Sequence, residues 1–429
     1  IIPKDWKVTV SEDKKDQFYI LKRLLNSPEI EYVVNACDAG REGELIFKHV
    51  YDLSGSKKPV KRLWISSLED SAILDGMQHL RSAEEYRHLA EAAVCRSQAD
   101  WLVGMNATRA YTTKYFKKLT VGRVQTPTLA MLVERAGQIS NFQKEKYFNV
   151  ELDCDGIPAV KPKIFDPDEA EQLRSRCQGS EAIVTAVKET EKKVKAPKLY
   201  DLTTLQREAN RIYGMTAKQT LDTAQSLYEK KLITYPRTDS QYLTEDMEQT
   251  ARNVVRQIYE KYQLTGPFDQ PEQPDVKKVM NNSKVTDHHA IIPTMELASC
   301  HLDELKSWEE KILFLIAVHT VMAMSKDHIY QETEIEVECQ GEIFKAKGKT
   351  VLQDGWKLFE NCFKNEDRMA IADPDQEMKE RMPKVTKGQT FYAVDAEKTE
   401  HFTSPPKPYS DVIFCERKEW IGIEERSSA

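Results

Sequence analysis

Leu232-Ile233-Thr234-Tyr235-Pro236-Arg237-Thr238-Asp239-Ser240 decides the reading of this chain. A short apolar run carries a tyrosine straight into a proline and an arginine, then into a polar turn. Pro236 fixes the local backbone and so holds the two flanking side chains in place. A phenol has a pKa near 10 and needs help to attack at neutral pH. Arg237 cannot accept its proton, but a guanidinium can stabilise a phenolate and the charge that builds on a pentacovalent phosphorus. Taken alone, a tyrosine at the end of a buried strand explains the stretch as well.

A second stretch changes the weighing. Cys37-Asp38-Ala39-Gly40-Arg41-Glu42-Gly43-Glu44 sets three carboxylates at the end of an apolar run, Glu31 to Cys37, that reads as a buried strand. Carboxylates four apart across a tight turn can share a hard cation such as Mg2+, with water and phosphate completing its shell. The bland alternative is a polar helix start, with Glu42 and Glu44 favoured by the helix dipole. A tyrosine beside a guanidinium, together with a magnesium-type acid cluster, points to phosphodiester chemistry through a covalent intermediate.

The chain has 429 residues, 40% hydrophobic and 31% charged, with a net charge of −7. That length allows about two to four domains and a sizeable core. No apolar run reaches the roughly 18 residues of a membrane span, and no leader opens the chain, so a cytoplasmic protein is expected. The eight cysteines form no CxxC pair, which fits reduced thiols and argues against a structural zinc. Negative net charge argues against nucleic-acid binding, but the charge is unevenly spread. Tyr111-Thr112-Thr113-Lys114-Tyr115-Phe116-Lys117-Lys118, running on to Arg123, is basic and aromatic. It could track a phosphate backbone and stack a base, or be a solvated helix end.

Along the chain, residues 11–26 read as a helix capped by Ser11, with an apolar stripe of Phe18, Ile20, Leu21, Leu24 and Leu25. Asp38 to Gly43 reads as a turn, Glu44 to Tyr51 as the start of a helix and Arg62 to Ser66 as a second strand. That alternation suggests a parallel α/β unit whose ligands gather at Asp38. Residues 70–136 are mostly helical. Two β-rich stretches, 147–200 and 328–355, flank a helical middle of 201–326, and Glu334 to Glu338 alternates strictly. Thr204 is the expected cap of a helix ending at Gly214, and Thr216 of the next, which bears Leu221, Ala224, Leu227 and Tyr228 on one face. Helix, glycine turn, helix and a short strand at Leu232 resemble a winged helix-turn-helix with Tyr235 at the head of the wing. Residues 264–284 read as an exposed loop.

Three further motifs carry polar chemistry. In Asp287-His288-His289 the adjacent histidines point to different faces, so they do not suit one metal together, and one could meet a phosphate or pass a proton near the tyrosine. A plain helix start is the alternative. Val121 to Thr128 puts Arg123 and Gln125 at a loop-to-helix entry suited to phosphate. Arg96 and Asp100, four apart on one helix, also read as a surface ion pair.

In combination these motifs resemble the type IA DNA topoisomerases, most nearly bacterial topoisomerase III. DAGREGE (38–44), RLWISSL (62–68), ADWLVGMNATR (99–109), VGRVQTPTL (121–129), TTLQREANRIYG (203–214), LYEKKLITYPRTDS (227–240), DHHAIIPT (287–294) and SPPKPY (404–409) fall in the family's order. The resemblance implies a multidomain α+β toroid. Residues 1–69 would be a partial toprim domain; 70–141, continued by 403–429, a helical DNA-binding domain; 142–200 and 327–402 a β-rich arch; and 201–326 a helical, winged-helix-like domain carrying the tyrosine. It implies that Tyr235, with Arg237 and His288 as catalytic partners, cleaves single-stranded DNA through a 5′-phosphotyrosine bond. Strand passage and resealing would follow, assisted by Mg2+ on Asp38 and Glu42. Arg96, Asp100, Arg123 and Gln125 fall where the family contacts DNA. The implied partners are single-stranded and negatively supercoiled DNA and a helicase, and the implied state is a nucleoid-associated bacterial monomer.

Three departures qualify this. Gly40 stands where the family has a second toprim aspartate. The family's N-terminal strand, with a catalytic glutamate and a lysine, should precede Ile1. The match fades after Tyr409, where Cys415 to Trp420 does not continue the family's helix. A fragment or truncated product with reduced relaxation activity is therefore expected. The rival readings are a toprim-type metal-dependent nuclease and a non-catalytic single-stranded DNA-binding remnant.

Overall fold

The computed structural model describes residues 2–65, 70–264, 274–285, 288–360 and 383–409. The readings made for Ser66 to Glu69, Asp287, Cys415 to Trp420, the tail 410–429 and the middle of the 264–284 loop lie outside those residues.

The N-terminal part is built on a small three-stranded sheet. Its elements are α1 (Lys15–Leu25), β1 (Val33–Asn35), α2 (Arg41–Ser54), β2 (Val60–Arg62), α3 (Asp70–Gln78) and β3 (Arg81–Ser82). Strands β1 and β2 are parallel, Val33 opposite Val60 and Asn35 opposite Arg62, while β3 joins antiparallel. The second strand ends at Arg62 rather than running on to Ser66, because Arg62 turns inward and its chain leaves the ladder after Leu63 N–H reaches Asn35. Helix α2 begins at Arg41, so the turn is shorter than the sequence suggests. Ser11 precedes a short 3-10 turn and makes no capping hydrogen bond. The stripe on α1 is not core: no residue of the helix is buried, and Ile20 and Leu24 remain exposed.

Two long helices follow, α4 (Arg87–Tyr115) and α5 (Gln125–Ser140). The chain then enters an antiparallel sheet made of β4 (Lys146–Cys154), β5 (Ile157–Ile164), β6 (Ala182–Val194), β7 (His328–Cys339), β8 (Glu342–Gln353), β9 (Thr390–Phe391) and β10 (Asp395–Phe402), with α6 (Pro167–Cys177) packed on it. The strand order is β10-β4-β5-β8-β7-β6-β9. Alternation fixes which face is buried. Ile335 and Val337 join Val150, Leu152, Val184 and Phe344 in one core, while Glu336 and Glu338 stay outside it.

Between β6 and β7 the chain makes a helical excursion of α7 (Leu202–Tyr213), α8 (Ala217–Glu229), α9 (Glu248–Tyr262) and α10 (Ser307–Ala323). The strands leading in and out pair with each other, from Ala182 opposite Cys339 to Val194 opposite His328. The excursion has its own core, with Leu205, Leu227, Ile233, Val254, Ile258, Leu315 and Ile316 fully buried. Thr216 caps α8 through a capping box with Gln219. Helix α7 is capped by Asp201, not Thr204: the carboxylate accepts from Thr204 N–H at 2.7 Å, and Thr204 occupies the third helical position. Gly214, at φ 67°, ends the helix in the left-handed conformation that glycine adopts without strain.

Leu232 to Ser240 forms no strand. Its only ladder contact is a single bridge, Ile233 to Pro293, so the tyrosine stands in a loop rather than on a wing hairpin. Nor do His288 and His289 open a helix; they lie on the extended segment that makes this bridge and another, Ile291 to Tyr200. Part of the 264–284 loop is also core: Val276 and Val279 are buried in a 3-10 turn. Among the described residues, no helix is long and apolar enough to cross a membrane.

Candidate active site

Two loops of the helical unit are laced together under Tyr235. Thr234 N–H donates to the Ile292 carbonyl and Ile292 N–H to Thr234 Oγ1, both at 3.0 Å. Thr234 Oγ1 donates to the Ala290 carbonyl at 3.0 Å and Thr238 Oγ1 to the His288 carbonyl at 2.9 Å. These bonds use the hydroxyls of the threonines on either side of the tyrosine. They place the Tyr235 ring 4.3 Å from the His288 ring, centroid to centroid. Tyr228, at the end of α8, meets Tyr235 edge-on at 5.3 Å. The two histidines do face opposite ways. His289 is buried and its Nδ1 lies 2.9 Å from the Ala290 carbonyl. His288 instead directs Nε2 at Asp38, 3.7 Å from Oδ1. That separation suits an ion pair but is too long for a hydrogen bond, and buried Nε2 makes none among the described residues.

Asp38 lies in the turn between β1 and α2. Gly43 lets α2 lie directly on that turn: a Cβ there would stand 2.1 Å from the Asp38 carbonyl oxygen. The same carbonyl accepts from Gly40 N–H at 2.8 Å and from Arg62 at 2.6 Å. Arg62 is wholly buried and also donates to the carbonyls of Asn35, Cys37 and Leu63 and to Glu44 Oε1, the last at 2.6 Å. The backbone that carries the acids is thus hung on one guanidinium. Sequence reasoning read Arg62 only as a strand residue; a charged residue opening the otherwise apolar run Leu63-Trp64-Ile65 was the signal. It read Tyr228 only as part of the apolar face of α8, and nothing local marks it as a neighbour of Tyr235.

The carboxylates part company. Glu44 is buried against Arg62 and Asn35. Asp38 and Glu42 are more than half exposed, at 58% and 55% of their side chains. Arg96 on α4 reaches Glu42 at 3.4 Å, and Arg123 at the α5 entry pairs with Asp100 at 3.0 Å. Gln125 is the first residue of α5. Asp38, His288 and Tyr235 therefore converge, Glu42 four residues on from Asp38 pairs with Arg96, and Asp100 and Arg123 form a separate exposed pair.

Electrostatics follow. The His288 imidazole is the main reason that Asp38 sits below the usual carboxylate range, with the Arg62 charge helping and burial opposing. The Tyr235 phenol is raised, first by burial and then by the negative charge of Asp38, with Arg237 opposing. The phenol is thus held in its neutral form.

As a cation site the donor set is two accessible carboxylates. Among the described residues no three His, Cys, Asp or Glu side chains are grouped to hold a metal. Two carboxylates suit a hard ion that keeps water and takes substrate phosphate, not a cage made of protein alone.

The family profile described as DNA topoisomerase matches residues 84–416. DNA topoisomerase 3 of Bacillus subtilis is 39% identical over 421 residues, which cover 96% of this chain and 57% of that protein. The Bacillus licheniformis protein of the same name is 39% identical over 426 residues, with the same coverage. The chain thus spans a little over half the length of these relatives. Full-length Topoisomerase I from Thermotoga maritima shares the fold, with a TM-score of 0.74 at 24% identity over 98% of this chain and 68% of its own. Motif order, fold and relatives agree: the chain belongs to the DNA topoisomerase family, as a bacterial type IA member of the topoisomerase III kind.

Proposed function

We propose that this chain carries the strand-cleaving centre of a type IA topoisomerase acting on single-stranded DNA. The observation behind this reading is the convergence of Tyr235, His288 and Asp38, drawn from parts of the sequence some 250 residues apart, with His288 4.3 Å from the phenol ring and 3.7 Å from the acid. In the reaction proposed, the Tyr235 oxygen attacks a backbone phosphorus. One P–O bond forms as the bond to the 3′ oxygen breaks, and the phenol proton ends on that oxygen. His288, held by Thr238 below and Asp38 beside it, is the group positioned to move the proton. Arg237 offsets the negative charge that gathers on the phosphate. Resealing is the same step reversed and needs no ATP, because the tyrosyl ester conserves the bond.

Asp38 and Glu42 would hold Mg2+, which when bound supplies positive charge to the phosphates and to the strand end being rejoined. Arg96, Asp100, Arg123 and Gln125 would guide the strand. The four parts inferred from sequence, and the partial toprim character of the first, belong to the same proposal, as do a monomeric state and a helicase partner.

The test is covalent trapping on labelled single-stranded DNA with Mg2+, followed by denaturation. An adduct is expected, lost in Tyr235→Phe. Cutting that persists in Tyr235→Phe would replace this reading with the metal-dependent nuclease. Salt-sensitive binding with no adduct would leave a DNA-binding remnant.

A further inference from the structure

The end of α4 carries an aromatic and cationic tip that takes no part in the site above. Tyr111 and Tyr115, one helical turn apart, stack at 6.0 Å with ring planes 20° apart. Both are about half exposed, at 50% and 54%, and Phe116 next to them is 94% exposed. Phe116 closes the helix at φ 53°, a left-handed conformation that ordinarily goes to glycine or asparagine. A large apolar ring is thus held in water on strained backbone, a combination that solubility and helix capping both oppose.

The tip is fixed rather than loose. Leu119 N–H donates to Thr112 Oγ1 at 3.2 Å and Val121 N–H to Thr108 Oγ1 at 2.9 Å, so the following loop returns along the helix that it has just left. Charge surrounds the rings on one side of the balance only. Lys114 lies 5.4 Å from the Tyr115 ring, Lys117 and Lys118 are exposed, and from Arg109 to Lys118 the chain has four cations and no carboxylate, against −7 overall.

We propose that this tip is a second docking platform for single-stranded nucleic acid, with bases stacking on Phe116 and the tyrosine pair and phosphates meeting Lys114, Lys117 and Lys118. Charge complementarity calls for a polyanion, and bare ring faces call for one with flat apolar groups to offer. A single strand has both, whereas a duplex turns its base faces inward. The inference rests on the single-strand reading above and extends it. From Asp100 to Phe116 is sixteen residues of helix, or about 24 Å, roughly seven stacked nucleotides. A strand held at Asp100 therefore needs about seven nucleotides or more to reach the platform, and one of about five could not engage both.

The experiment is fluorescence anisotropy of the whole chain with dye-labelled oligothymidylates of about 5 and about 40 nucleotides, alongside adduct trapping on the short one. Phe116→Ala should bind the long strand about five- to tenfold more weakly, and leave adduct formation on the short strand as in wild type. Lys117→Ala/Lys118→Ala should reduce the slope of log affinity against log salt by about 1.4. Both variants change exposed side chains, and unchanged thermal melting checks that they fold. Wild-type affinity and salt slope in both variants would overturn the inference while leaving the Tyr235 reading intact. A concentration-dependent dimer lost in Phe116→Ala, with DNA affinity unchanged, would overturn it in favour of a contact between copies. Failure of the wild type to bind any single strand would defeat both readings.

Discussion

Helix α10 shares the core of the unit that carries the tyrosine and helix α4 carries Arg96 and Asp100, yet they are embedded very differently. Eleven of the 17 residues of α10 are buried, against one, Ala93, of the 29 of α4. Helix α5 buries only Met131, and α1 buries nothing. Glu309 on α10 ties that helix to Ser226 of α8 and to Lys230 just after it, at 2.7 and 2.6 Å. Burial pushes Glu309 up, but these partners outweigh it and hold the carboxyl at about 2. The site thus joins two kinds of support. The tyrosine belongs to a unit packed on apolar side chains, whereas Asp38, Glu42, Arg96 and Arg123 stand on elements with little buried apolar surface of their own. Opening such a site should cost least on the polar side, where few buried contacts must separate.

The strongest challenge to this contrast is Arg62→Met. It would strip the buried charge from Glu44 and free the carbonyls of Asn35, Cys37 and Asp38. A loss of about 3–5 kcal/mol is expected, confined to the N-terminal part in hydrogen exchange. Global unfolding instead would mean that the two halves share one cooperative core. Next comes Leu315→Ala, a fully buried deletion in α10, expected to lower the stability of the helical unit by about 2–5 kcal/mol in denaturant melts.

A smaller effect comes from pH. His319 on α10 stacks on Tyr200 at 3.7 Å and its Nε2–H donates to the Lys198 carbonyl at 2.8 Å. Burial lowers its pKa to about 4. Because the unfolded chain binds this proton more readily, stability should fall as pH drops from about 6.5 toward 4 and level off below, by about 2 kcal/mol allowing for partial exposure. His319→Gln should remove that share of the slope. The smallest effect is Leu129→Ala on α5, 60% exposed and expected within about 0.5 kcal/mol of wild type. A loss above 2 kcal/mol would show that α5 is better packed than its exposure implies.

What the sequence discloses follows the same divide. The alternation at Glu334 to Glu338, the Thr216 cap and the helix–strand order are local patterns, and the structure carries each of them. The opposed faces of His288 and His289 follow from their adjacency. Arg62 was opaque because its carbonyl partners lie some 25 residues upstream and become neighbours only when two strands align. The stripe on α1 misled for the complementary reason: periodicity shows that a face is apolar, not that anything covers it. Thr204 and Asp201 are both good caps three residues apart, and only the backbone turn at Asp201 chooses between them. The loop at Tyr235 looked like a strand because its apolar residues are buried, but their burial is against helices, not against a ladder.

The paired strands β6 and β7 have one more consequence. Val194 and His328 sit opposite each other, so everything between them leaves and rejoins the sheet through one doorway only about 5 Å wide. In topological language the excursion is a cassette: its two ends are already side by side, and removing it would ask the host sheet for a tight hairpin and nothing more. Such a module can be traded or grafted as a unit.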